Sequence, residues 1–268
     1  MSTKVIIFDL DGTLLNSKGE PLPSSIEAIK LARKSGLLIG ICTGRESQSV
    51  SHLLAEWGLD GLIDFIIGNG GGEFIDFMTK KSESNYPLAG ELIIDIIHHF
   101  KDLAVNFAIP FNGKLYAPKD DTLIQVLSQF DKLPYEVVDF DEFLKEPKPK
   151  VMIVCDPDTM PLVLECAKTF SSPQYKSASL QTASVLYEYM DPRISKVSGI
   201  QKVLDIHQLT MQECCCFGDA DNDYDMVKHA GVGVVMGNGS EKTKSVADVV
   251  IDNNDEDGIF NYITQHLI

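Results

Sequence analysis

Between residues 4 and 67 short apolar runs alternate with amphipathic segments, and this alternation limits the fold more than any other feature. Val5 to Phe8 is a continuous apolar run. In the next segment Ser24 and Glu27 make a capping-box pattern, and Ile26, Ile29, Leu31 and Ala32 supply a helical face that ends near Gly36. Leu37 to Cys42 is again apolar throughout, Glu46 to Trp57 reads as a second helix stopped by Gly58, and Ile63 to Ile67 reads as a third strand. Runs without a polar face suit strands of a parallel sheet covered by helices on both sides. The expected fold is α/β, with a doubly wound, mostly parallel, Rossmann-like sheet that binds ligands beyond the carboxyl ends of its strands.

The same grammar returns near the carboxyl terminus. Ser195 to Ile206 reads as a helix, Cys214 to Phe217 as a strand, Asn222 to Ala230 as a helix, and Val232 to Val235 and Asp248 to Ile251 as strands. From about Glu83 to Tyr189 the pattern changes to helices mixed with hairpins, including a Phe111-Asn112-Gly113-Lys114 turn between Val105-Asn106-Phe107 and Lys114-Leu115-Tyr116. Such a change inside a repeated alternation marks an insertion. Residues 1–82 with 191–268 are expected to form the core, and 83–190 an inserted α+β cap.

With 268 residues and 44% hydrophobic content, the chain can bury a substantial core. Its net charge of −16, with Arg33, Arg45 and Arg193 as the only arginines, argues against nucleic acid as a partner. The insert carries nine lysines and no arginine against sixteen acidic residues, so it is no basic clamp. Without an apolar run of 18 residues or a signal-peptide pattern, no membrane partner and a cytoplasmic location are expected. The six cysteines lack paired C-x-x-C spacing, and Cys214, Cys215 and Cys216 would alternate faces on a strand, as core side chains do.

Carboxylates are costly to place at the edge of a buried strand unless something compensates them. Asp9 and Asp11 follow the first apolar run, and residues i and i+2 of an extended segment share a face on which both could meet one reacting centre. Thr43-Gly44-Arg45 closes the second run, where a strand-to-helix junction would favour an anion. Lys196 opens the returning helix, and Gly218-Asp219-Ala220-Asp221-Asn222-Asp223 follows the strand beyond it. The run Gly68-Asn69-Gly70-Gly71-Gly72 lacks G-x-G-x-x-G spacing and reads as a turn.

In order and character these four pieces resemble the haloacid dehalogenase superfamily, and the position of the insert resembles its Cof-type sugar-phosphatase branch. The resemblance implies Mg2+-dependent hydrolysis of small phosphate monoesters, sugar phosphates or phosphorylated cofactors, through an aspartyl-phosphate. It makes Asp9 the nucleophile and Asp11 the general acid and base. Mg2+ would be held by the side chains of Asp9 and Asp219 and the backbone carbonyl of Asp11. Leu10, Thr43, Gly44, Lys196 and Asn222 would bind the phosphoryl group, supported by Asp223, Thr13 and Arg45. Asn69 resembles the Asn-Gly pair near the family's cleft. Val197 and Ala220 depart from the branch, which usually or often has Gly at those places. A phosphomutase using the same aspartates, or a phosphometabolite-binding regulator with little turnover, would fit the same motifs. The physics supports the resemblance: a carboxylate attacking a phosphate ester brings two anions together, and a hard cation offsets their repulsion.

Overall fold

In the computed structural model, which describes residues 2–268, the amino-terminal alternation becomes β1 (Val5–Phe8), α1 (Pro23–Lys34), β2 (Leu38–Cys42), α2 (Ser47–Leu53) and β3 (Phe65–Gly68). β4 (Glu73–Asp76) and β5 (Lys81–Ser84) follow. The inserted segment holds α3 (Gly90–His99), β6 (Val105–Phe111), β7 (Lys114–Ala117), α4 (Thr122–Asp131), β8 (Tyr135–Val137), α5 (Phe140–Phe143), β9 (Val151–Cys155), α6 (Met160–Ala167), β10 (Ala178–Ala183) and β11 (Leu186–Met190). The chain closes with α7 (Lys196–His207), β12 (Cys214–Gly218), α8 (Tyr224–His229), β13 (Val232–Val235), α9 (Glu241–Lys244), β14 (Val249–Val250) and α10 (Gly258–His266).

Two compact units result, one of residues up to Glu83 with Ser195–Ile268, the other of Ser84–Ile194. The first is built on a sheet of order β14-β13-β12-β1-β2-β3-β4-β5. Its strands run parallel from β14 through β3, and β4 pairs antiparallel with β3. Both faces are covered, which is why these strands read as unbroken apolar runs. Ile6 and Phe8 pack with α1 and α10 residues on one side, and Val5 and Ile7 with Ile200, Val203 and Met226 on the other. Cys215 faces the first layer while Cys214 and Cys216 face the second, and all six cysteines are free thiols.

Local differences from the expected elements have local causes. α1 starts at Pro23, whose fixed φ suits the first helical position, so Leu22 is the N-cap, no side chain caps the helix, and the Ser24 hydroxyl is left without a partner. α2 ends at Leu53, although Trp57 remains 4% exposed in the core. The segment after β12 begins as a tight 3-10 turn over Asp221–Asp223 and becomes α-helical only at Tyr224.

The second unit has a sheet of order β10-β11-β9-β6-β7-β8. β6 runs through to Phe111, longer than the hairpin pattern suggested, and pairs Phe111 with Lys114 across Asn112 (φ 52°) and Gly113 (φ 74°). Two positive φ values in a two-residue loop match the right-handed twist of its strands. The aromatic residues pack: Tyr116 stacks on Phe143 at 4.5 Å, and Tyr187 lies edge-on to Tyr189 at 5.7 Å. Lys114 pairs with Glu136, Lys148 lies over the Phe143 ring, and Lys150 is buried against Glu188 at 2.8 Å.

Candidate active site

At the carboxyl ends of β1, β2 and β12, inside the first unit, the sequence motifs come together. Asp9 prolongs β1 by donating its backbone N–H to the Phe217 carbonyl at 2.9 Å. The chain then turns, with Thr13 and Leu15 both donating to the Leu10 carbonyl. Gly12 makes the turn possible twice over: its φ is +82°, and a Cβ there would lie 2.5 Å from Asp219 Oδ2.

Because β1 stops at Phe8, the shared-face geometry of an extended strand does not apply to the two aspartates. Asp9 is 6% exposed and joins a buried cluster. The Asp11 side chain is 44% exposed, and its carboxylate is gripped by Arg45 through Nε at 2.9 Å and Nη2 at 2.7 Å. The Asp11 carboxylate therefore stands apart from the buried carboxylates.

Lys196 sits in the first turn of α7, fixed there by a capping box in which Ser195 and Ser198 exchange side-chain-to-backbone hydrogen bonds. Its buried ammonium donates to Asp9 Oδ1 and Asp223 Oδ1, both at 2.5 Å. Asp223 spends its other oxygen on the backbone N–H groups of Asp219 (2.9 Å) and Ala220 (3.0 Å), the latter a bond that any residue but proline could donate at position 220. Thr13 donates from Oγ1 to Asp219 Oδ1 at 2.7 Å. At the far end of α7, His207 bonds Asp76 at 2.7 Å and ties the helix to β4.

Charge in this cluster does not balance. Carboxylate oxygens of Asp9, Asp219 and Asp223 lie within 4.8 Å of one another against a single ammonium. Burial pushes the Asp9 carboxyl well up despite Lys196, and Asp223 and Asp219 add to the rise. Burial and Asp223 likewise lift Asp219 to about 6 against the Thr13 hydrogen bond. For Lys196 burial opposes the charge, yet Asp223 and Asp9 together raise it far above the ordinary lysine range. The hydrogen bonds of Asp9 and Asp219 fall on Oδ1, which leaves Oδ2 of each for a cation, whereas both Asp223 oxygens are committed. An all-oxygen donor set of this kind fits a hard divalent ion.

Thr43 is 1% exposed and its Oγ1 accepts the Arg45 N–H at 3.1 Å. A Cβ on Gly44 would meet nothing within 4 Å, so the backbone faces open space there. The helix expected at this junction starts only at Ser47 and runs seven residues, so Thr43 and Gly44 belong to a turn ahead of it rather than to a helix end. The Leu10 side chain is packed in the core. Asn222 has a buried Oδ1 without a hydrogen-bond partner among the described residues.

Haloacid dehalogenase-like hydrolases match this chain as a family over residues 6–263. The chain belongs to that family. It is 29% identical to the 5-amino-6-(5-phospho-D-ribitylamino)uracil phosphatase YwtE of Bacillus subtilis, over 98% of each chain. It is 27% identical to the pyridoxal phosphate phosphatase YbhA of Escherichia coli, over the whole of both. A crystal structure of a haloacid dehalogenase-like hydrolase from Bacteroides thetaiotaomicron superposes with a TM-score of 0.86 at 26% identity, over 98% of this chain and 99% of that one. The chain spans less than half, 46%, of a longer relative, the chloroplastic endoribonuclease YBEY of Arabidopsis thaliana, which matches 97% of this chain at 27% identity. This haloacid dehalogenase-like chain is thus an enzyme, akin to named phosphatases over its full length.

Three further residues of this hydrolase brace the site and carried no reading in the sequence. Asn238 donates to the Gly12 carbonyl at 2.8 Å, Ser240 N–H to the Asp219 carbonyl at 2.8 Å, and Thr243 Oγ1 to the Ala220 carbonyl at 2.8 Å. Their signal was the Gly237-Asn238-Gly239-Ser240 turn beyond β13, another strand end beside β12.

Proposed function

We propose that this chain hydrolyses small phosphate monoesters with Mg2+, through a phosphoryl group carried transiently on Asp9. The observation that carries the reading is the uncompensated cluster: buried Asp9 and Asp223 share one ammonium with half-buried Asp219 beside them, and among the described residues Oδ2 of Asp9 and of Asp219 has no hydrogen-bond partner. Such an arrangement is unfavourable in itself and becomes favourable once a divalent cation enters.

Asp9 Oδ2, Asp219 Oδ2 and the Asp11 backbone carbonyl are the proposed ligands. When bound, the ion supplies positive charge that polarises the phosphoryl group and offsets its repulsion from Asp9. A carboxylate oxygen of Asp9 forms a bond to phosphorus as the ester P–O bond breaks, and Asp11 gives the departing alkoxide a proton. Water then attacks phosphorus, Asp11 takes a proton back, and the Asp9–phosphorus bond breaks to release phosphate. Arg45 positions Asp11 by donating to both of its carboxylate oxygens. Thr43 Oγ1, the backbone N–H groups of Leu10 and Gly44, the Lys196 ammonium and the Asn222 amide are the proposed phosphoryl contacts. Asp223 and Thr13 orient Lys196 and Asp219.

Sugar phosphates and phosphorylated cofactors are the substrate classes proposed. Two relatives named for a phosphoribitylamino-uracil and for pyridoxal phosphate support that range, and residues 84–194 are assigned the choice among substrates. A panel of such esters, assayed with Mg2+ or with chelator, tests the reading. Mg2+-dependent phosphate release lost in Asp9→Asn is the expected result; isomeric product without free phosphate, or equal release by Asp9→Asn, overturns it.

A further inference from the structure

Ser47, the first residue of α2, gives both of its polar hydrogens to one oxygen of Glu73: the backbone N–H at 2.6 Å and the hydroxyl at 2.8 Å, each to Oε1. Glu73 opens β4 and stands opposite Gly68 in the antiparallel β3–β4 pair. The glycine opens the way for its carboxylate. A Cβ on Gly68 would lie 2.9 Å from Glu73 Oε1, 2.9 Å from the Arg45 carbonyl oxygen, and closer still to Ser47 N. The turn that runs into Ser47 is the one that carries Thr43, Gly44 and Arg45. Backbone bonds tie its start: Thr43 N–H donates to the Ile67 carbonyl at 2.9 Å, Gly70 N–H to the Thr43 carbonyl at 2.9 Å, and Asn69 N–H to the Arg45 carbonyl at 2.8 Å. A side chain, Glu73, ties its end.

α2 cannot supply that anchor itself. It is seven residues long, too short to be stable from its own hydrogen bonds, and the side chain of its N-cap residue, Glu46, makes no capping hydrogen bond to it. A carboxylate acceptor makes hydrogen bonds roughly twice as strong as a neutral one, so Glu73 is a firm substitute. Two residues before Ser47, Arg45 holds both oxygens of Asp11, and three before it the Gly44 backbone faces open space. A shift at Ser47 therefore moves the groups ahead of it, and a misplacement of about 1 Å at a reacting site costs on the order of 10²-fold in rate. We propose that Glu73 is a positioning residue for the phosphoryl-binding turn: by holding Ser47 it fixes Thr43 and Gly44 toward the phosphoryl group and Arg45 on Asp11. This rests on the phosphatase reading above.

Glu73→Ala removes the anchor, Glu73→Gln keeps an oxygen acceptor without the charge, and Ser47→Ala removes one of the two donors. Each is compared with wild type by kcat/KM on the best ester of the panel, and by calorimetric binding of inorganic phosphate with Mg2+, which needs no turnover. Glu73→Ala is expected to lose about tenfold in both, as for one lost hydrogen bond, with Glu73→Gln within about threefold of wild type and Ser47→Ala between them. A role confined to stability would lower the unfolding midpoint and leave phosphate affinity unchanged, and that result overturns the proposal. Glu73→Gln falling as far as Glu73→Ala overturns it too. If Glu73→Ala does not fold, Ser47→Ala decides by the same two constants, and no loss in either is again contrary. Wild type that binds phosphate but hydrolyses no ester defeats the phosphatase reading, while the affinity series still tests Glu73. Wild type that neither binds phosphate nor hydrolyses any ester defeats both.

Discussion

Each unit of this protein buries one lysine against carboxylates, and the two burials teach opposite lessons. In the insert, Lys150 meets Glu188 at 2.8 Å, and Thr182 donates to the other Glu188 oxygen at 3.0 Å. One positive charge faces one negative charge. In the core, Lys196 faces Asp9 and Asp223 with Asp219 close behind, and charge is left over. Burial of ions alone is thus no sign of a site, since a closed pair is a structural element of debatable worth. The unbalanced cluster marks the place where a ligand must finish the electrostatics.

Substitutions can break or sharpen that contrast. The largest effect is expected from Asp9→Asn, which removes the proposed nucleophile and should lower phosphate release on the order of 10³-fold or more, measured as kcat on the best ester of a panel. Asp11→Asn should follow, with roughly 10²- to 10⁴-fold lost from kcat, because both proton transfers of the proposed mechanism depend on it. In the insert, Glu188→Leu takes the carboxylate away from the buried Lys150 and should cost about 3–5 kcal/mol in denaturant unfolding. The double change Lys150→Met with Glu188→Leu should recover most of that loss. Failure of the double variant to recover would mean that the insert's pair is not the closed element described above.

The smallest effect concerns pH. With the Asp219 carboxyl raised from its ordinary 3.8 to about 6 by burial and by Asp223, the metal-free fold holds a proton there that the unfolded chain has released. That contribution to stability is present at low pH and is lost as pH rises through about 6, the reverse of an ion-paired surface carboxylate. A divalent ion displaces the proton. Mg2+ affinity, read from its stabilising effect, should therefore rise up to about tenfold per pH unit below 6 and level off above it.

Much of the core could be read from the chain because parallel strands covered on both faces leave an unmistakable apolar record, as at Val5–Phe8 and Cys214–Gly218. The strand ends then named the carboxylates, since few other reasons put charge there, and Lys196 was picked out at the start of the returning helix. What the chain hid was set by turns. Where β1 stops decided that Asp11 would leave the buried cluster for Arg45, and Pro23 rather than the Ser24 capping pattern decided where α1 begins. The braces Asn238, Ser240 and Thr243 act across more than twenty residues or from the opposite end of the chain, so the Gly237-Asn238-Gly239-Ser240 turn could mark a strand end but not the groups it would hold. Asn69 was visible as a turn residue, but its bond to the Arg45 carbonyl emerges only when its neighbours are packed around it.

The central claim is that the unbalanced cluster exists to carry a phosphoryl group on Asp9. Acid-quenching the enzyme during turnover with Mg2+ and mapping its peptides by mass tests this most directly. A phosphoryl group on the peptide containing Asp9, absent when Mg2+ is withheld and absent in Asp9→Asn, is the expected result. Steady phosphate release with that peptide unmodified, and undiminished in Asp9→Asn, would contradict the claim.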